Sequence, residues 1–162
     1  MDNETRTTAS GAQLVSLAMR KQYYFRPSNR GLLAWDVDRL VALSKPLART
    51  NVSVAVIREL DLLFASDFER ASTWRDVIKD VALIETADLR NPVILSADGS
   101  VMDGMHRVAK AVLLGKSTIE AVQFSVDPEP DYVGVTPDKL PYEATSSCQE
   151  IRHVTPRLPM WL

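Results

Sequence analysis

The chain has 162 residues, 46% apolar and 25% charged, a composition that supplies a core for one globular domain. Nineteen Lys and Arg against twenty-one Asp and Glu leave a formal charge of −2, which argues against a dedicated duplex-DNA binder because such proteins need a concentrated basic footprint. No apolar run reaches the roughly 20 residues of a membrane span, the polar first ten residues lack the layout of a secretory signal, and the single cysteine, Cys148, gives neither an internal disulfide nor a thiolate zinc site.

The first ten residues read as a frayed terminus. From Ala12 to Phe25, Leu14, Val15, Ala18 and Tyr23–Phe25 predict an amphipathic helix, broken by the run from Arg26-Pro27 to Gly31. A short helix over Asp36–Leu43 follows and stops near Lys45-Pro46. Val52, Val54 and Val56 alternate with small residues, so Val52–Ile57 is expected to be a strand. Ser72 is a natural N-cap for a helix in which Trp74, Val77, Ile78, Val81 and Ile84 make one buried stripe.

Pro92 opens the short apolar run Val93-Ile94-Leu95, a strand by its length and turn-rich borders. Asp98-Gly99 predicts a two-residue type I′ turn into Val101-Met102. The chain then enters a helix almost without a loop. Asp103 is its expected N-cap, Met105, Val108, Ala109 and Val112 its apolar face, and Gly115 its C′ residue. Ile119–Val126 is a further strand. After Asp127, six prolines leave little regular structure, so the tail is expected to wrap the domain, with 127–142 able to serve as a lid. The reading is an α+β protein in three parts: a helical N-terminal arm over 1–45, a small mixed-sheet domain over 46–126 and a proline-rich tail over 127–162.

Chemistry concentrates at the start of the helix after Val101-Met102. A helix that begins straight after a strand presents unpaired N–H groups and the positive end of its dipole at the sheet edge. Gly104 lets an anion approach the backbone, and His106 and Arg107 add a donor and a fixed, planar charge. With Asp103 beside them, these residues outline a small phosphate or carboxylate site. An N-cap Asp, a packing Gly and a solvated Arg would explain the same residues without any function.

Pro92–Leu95, Asp98-Gly99, Asp103-Gly104-Met105-His106-Arg107, Ala109 and Gly115 together resemble the core of the ParB/sulfiredoxin superfamily. The resemblance covers 51–126 and is most specific at DGMHR. It implies a small mixed α+β fold in which Gly104, Met105, His106 and Arg107 contact nucleotide phosphates. Met105 stands where sulfiredoxin has its catalytic cysteine, so sulfinic acid reduction is not expected. Residues 127–162 are too short and proline-rich for the DNA-binding and dimerisation parts of the partition proteins. The motif is most similar to the Asp-Gly-x-His-Arg of the superfamily's free-serine kinases, which also use a carboxylate after the first strand; Glu59 and Asp61 lie in that region.

The resemblance therefore implies a stand-alone domain that binds ATP, ADP or CTP and transfers phosphate to a small hydroxylated molecule. Arg107, His106 and the helix terminus would neutralise the phosphates, and Asp103 or Glu59 would take the hydroxyl proton or hold Mg2+. The alternative is a non-catalytic nucleotide- or anion-binding module. Nuclease chemistry lacks a carboxylate cluster for two metals. Tyr23–Phe25 are read as a packing cluster and Trp35 as covering a core or a partner's groove, while His153, in the tail, is expected to be exposed. The apolar end Leu158–Leu162, with Trp161, is expected to pack on its own domain or to join the arms in a homodimer. A cytoplasmic protein independent of structural metal is the expectation.

Overall fold

The computed structural model describes residues 21–62 and 73–142. Most of the expected helix over Ala12–Phe25, the Ser72 cap, Cys148, His153 and Leu158–Leu162 with Trp161 lie outside these residues. Helices and strands are mixed, as the α+β reading requires.

At Tyr23–Phe25, the described end of the expected Ala12–Phe25 helix, the structure corrects helix to strand. Tyr23–Ser28 is a strand, β1, paired antiparallel with β2 (Gly31–Asp36) around Asn29-Arg30. Pro27 is tolerated because β1 is an edge strand, where a missing N–H breaks no ladder. Gly31 has φ +96°, and a Cβ there would lie 3.0 Å from Gly134 Cα. That close approach admits β7 (Tyr132–Val133), which pairs antiparallel with β2. The described part of the tail, 127–142, thus returns to the hairpin and completes a β1-β2-β7 sheet.

Helix α1 (Val37–Ser44) starts at Asp36, whose carboxylate accepts the Asp38 N–H at 3.0 Å. Strand β3 covers only Thr50–Ser53, shorter than expected. The Ser53 hydroxyl caps a 3₁₀ turn over Val54–Val56, so the chain bends while Val54 and Ile57 still reach the core. A second 3₁₀ turn, Arg58–Asp61, follows. Helix α2 (Trp74–Thr86) begins one residue later than expected, at a Thr73/Asp76 capping box. Its apolar stripe is not a buried one. The helix has no buried residue; Val77 and Ile84 are half-buried, while Trp74, Ile78 and Val81 are exposed.

Strands β4 (Val93–Leu95), β5 (Val101–Asp103) and β6 (Thr118–Gln123) join β3 in the order β3-β6-β4-β5. The β4/β6 pair is parallel and the other two pairs antiparallel, a mixed sheet. Helix α3 (Met105–Leu113) lies between β5 and β6. Its inward face is Met105, Val108 and Ala111, one step round from the expected face, and Val112 is exposed. Gly115 ends it at φ +66° as C′. Lys116 N–H donates to Ala111 O and Gly115 N–H to Val112 O, the Schellman pattern. One face of the sheet packs Val54, Ile57, Val93, Leu95, Val101, Val108 and Ala121, and the other packs Ile94, Met102, Val122 and Phe124 against Trp35 and Leu40. Alternate residues of β4 serve opposite faces, which explains an all-apolar strand.

The β4–β5 turn is a three-residue loop rather than the expected two-residue one. Ser96 N–H donates to Ser100 O, Gly99 N–H donates to Ser96 O, and Gly99 holds φ +85°. This is the pattern of a type I turn closed by a left-handed glycine. The Ser96 hydroxyl and the Ser100 N–H both donate to Asp98 Oδ1, and they hold the Asp98 carboxyl well below the usual carboxylate range. A depressed folded pKa contributes stability above the unfolded value of about 4, lost as pH falls toward the folded value. Asp98→Ala is expected to cost about 1 kcal/mol at pH 7. The difference from wild type should narrow progressively in denaturant titrations as pH falls from about 5 toward 2; a gap constant with pH would contradict this assignment.

Candidate functional site

Strand β5 delivers Asp103 to the edge of the sheet, and one residue later α3 begins. The N-cap is Gly104, at φ +107° and ψ 19°, with no side-chain cap bond, so Asp103 is not the cap. The backbone reverses in a left-handed step that favours glycine, and the carboxylate caps no N–H of the first turn. Asp103 Oδ2 instead accepts from Arg107 Nη2 at 2.7 Å, four residues along. The guanidinium lies across Gly104, where a Cβ would meet Nη2 at 2.7 Å. Glycine is thus required twice here, by the dihedral and by the arginine above it.

The pair is largely shielded, with side-chain exposures of 19% for Arg107 and 21% for Asp103. Among the described residues Arg107 Nε is buried without a hydrogen-bond partner, so the fork is only partly satisfied. Arg107 and Val108 N–H groups both turn to Gly104 O, while Met105 and His106, the first two helical residues, have no intrahelical carbonyl to receive their N–H groups. Two backbone donors, the helix dipole and one guanidinium therefore meet at this corner.

His106 points toward α2. Its Nε2 is 3.4 Å from Asp80 Oδ1, and the ring is half-exposed rather than sealed in apolar packing. Beside it, Lys110 Nζ donates to the carbonyls of Glu85 and Ala87 at the C-terminal end of α2, a favourable place for a cation. Met105 packs its side chain on the core, which leaves only its backbone for a ligand.

Glu59 lies in the second 3₁₀ turn, and its Oε1 accepts the Val101 N–H at 2.9 Å. Val101 opens β5, a sheet edge that among the described residues has no strand partner on that side. Two residues along β5, about 7 Å, stands Asp103. Glu59 Oε2 is buried with no hydrogen-bond partner among the described residues. Asp61, the other carboxylate of this region, is exposed.

The structure thus brings Asp103, Gly104, Met105 and Arg107 into one corner, sets His106 at its α2 side, and fastens Glu59 to the strand that leads there. Sequence reasoning missed Asp80, the partner of His106; the signal lay in α2, where Asp76 and Asp80 sit one turn apart on an amphipathic helix. Two cavities elsewhere, of about 400 Å³ by Ser53, Leu60 and Val112 and about 480 Å³ by Arg26, Arg58 and Glu59, do not include the α3 start. Among the described residues no three His, Cys, Asp or Glu side chains group as a metal site, and no helix is long and apolar enough to cross a membrane. No protein-family model, curated protein or solved structure matches the chain.

Proposed function

We propose that this chain is a ParB/sulfiredoxin-like domain that binds a nucleotide through its phosphates at the start of α3. The observation that carries the reading is the Arg107 guanidinium held over Gly104 beside the free N–H groups of α3, with its Nε unpaired. A phosphate accepts from two backbone N–H groups and a planar fork at once. Asp103 fixes the fork in place before the ligand arrives. It also cancels much of the charge; where Mg2+ accompanies a polyphosphate, Asp103 would be the residue to hold it, and the ion would offset the phosphate charge.

The same reading extends to phosphoryl transfer to a small hydroxylated acceptor. Glu59, anchored on Val101 at the strand that leads to the corner, would accept the hydroxyl proton, and Asp103 would position the hydroxyl. The competing reading is a non-catalytic binding module, favoured by the fact that both carboxylates already make contacts within the chain. Turnover separates the two. With ATP, ADP or CTP, Mg2+ and a panel of hydroxylated acceptors, the enzyme consumes nucleotide. Glu59→Gln should lower that rate by about 100-fold or more while nucleotide binding persists, whereas Asp103→Asn, which also loosens the Arg107 fork, should lower both rate and affinity. Binding by wild type without consumption of any nucleotide would leave the module reading alone.

A further inference from the structure

We infer that the outward face of α2 is a self-association surface on which a second copy of the chain docks its own α2 antiparallel. Trp74, Ile78 and Val81 follow at four- and three-residue steps and form one line along the helix. They are 83%, 65% and 47% exposed. The opposite side of α2 is already committed, since Asp80 meets His106 and the helix end receives Lys110. A 13-residue helix about 20 Å long with an apolar outer line and no buried residue leaves that line for another surface.

Charge selects the occupant. The outer face carries Arg75 and Lys79 in its first half and Glu85 in its last turn, and among the described residues none of the three has an ion-pair partner. Set antiparallel so that Ile78 meets the small Ala82 of the second copy, the helices place Arg75 opposite the second copy's Glu85. Two-fold symmetry repeats the pair, as a self-complementary interface requires. The antiparallel arrangement also opposes the helix dipoles favourably. A net charge of −2 offers little repulsion between copies. The surface is a single helix face, so the dimer belongs to the small, reversible class.

Sedimentation equilibrium of the full chain tests this. Wild type should show a monomer–dimer equilibrium complete toward dimer at about 200 µM, with dissociation in the micromolar range. Ile78→Asp, at an exposed position that the fold does not use, should leave only monomer. Arg75→Glu should weaken the dimer about tenfold, and Arg75→Glu with Glu85→Arg should restore it to within about threefold, because the swapped pair is again complementary. Both charge changes suit their own helix ends, so circular dichroism should show an unchanged fold. A monomeric wild type, a dimer indifferent to Ile78→Asp, or a double swap as weak as Arg75→Glu would each overturn the inference.

Discussion

Arg107→Ala is expected to lower nucleotide affinity by about 100-fold or more, measured by calorimetry on the folded chain. Two charge-assisted hydrogen bonds of about 1.5 kcal/mol each, together about 3 kcal/mol, correspond to that factor. The fold should survive, because the guanidinium packs over Gly104 at the edge of the domain and Val108 and Ala111, not Arg107, carry the α3 core contact. The lost pair leaves a partly shielded Asp103 without its partner, a modest cost for an ion pair that still sees solvent. Arg107→Lys keeps the charge but not the planar fork, and should recover about tenfold at most. Affinity unchanged in Arg107→Ala would remove the phosphate role from this corner.

Trp35→Ala is expected to cost about 4 kcal/mol, a large share of the 5–15 kcal/mol that holds a domain together. Trp35 is 2% exposed and fills the second core face between Leu40, Ile94, Met102, Val122 and Phe124. Its indole N–H donates to Pro128 O at 2.7 Å, and Arg26 stacks on the ring at 5.3 Å while its Nη1 bonds Asp127. One side chain therefore joins the β1–β2 hairpin, the four-stranded sheet and the tail. Trp35→Phe keeps most of the apolar volume and should lose only about 1–2 kcal/mol, chiefly from the stranded Pro128 carbonyl. Denaturant unfolding read by circular dichroism checks both values, and a single loss shared by the two variants would assign the energy to the hydrogen bond alone.

The middle of the chain was legible in the sequence for physical reasons. Val93–Leu95 is apolar on both sides because both faces of β4 are covered, Asp98-Gly99 marks a tight turn, and Gly115 marks a left-handed helix end. The hairpin of β1 and β2 was obscured by Pro27, which reads as a breaker until its place on an edge strand is known. Its signal was present in two apolar runs, Tyr23–Phe25 and Leu32–Trp35, flanking Ser28-Asn29-Arg30-Gly31. Periodicity located α2 but could not say that its stripe faces outward, since burial depends on what the rest of the chain places there.

At the site, the residue types were readable and their bonds were not. Asp103 reads as a cap because acidic residues commonly begin helices, yet the left-handed Gly104 takes the cap and turns the carboxylate to Arg107. Glu59 was placed by its position after the first strand. Its bond to Val101 depends on a 3₁₀ turn that no spacing announces. His106 reads as a phosphate donor, and its approach to Asp80 arises only when α2 packs beside α3.

The central claim is that the first N–H groups of α3 receive an oxyanion. Titration of the 15N-labelled full chain with Mg2+-nucleotide, followed by amide NMR, addresses those groups directly. The expected result is saturable shifts largest at the amides of Met105 and His106, absent in Arg107→Ala. Shifts confined to other residues, or spectra unchanged by ATP, ADP and CTP, would contradict it.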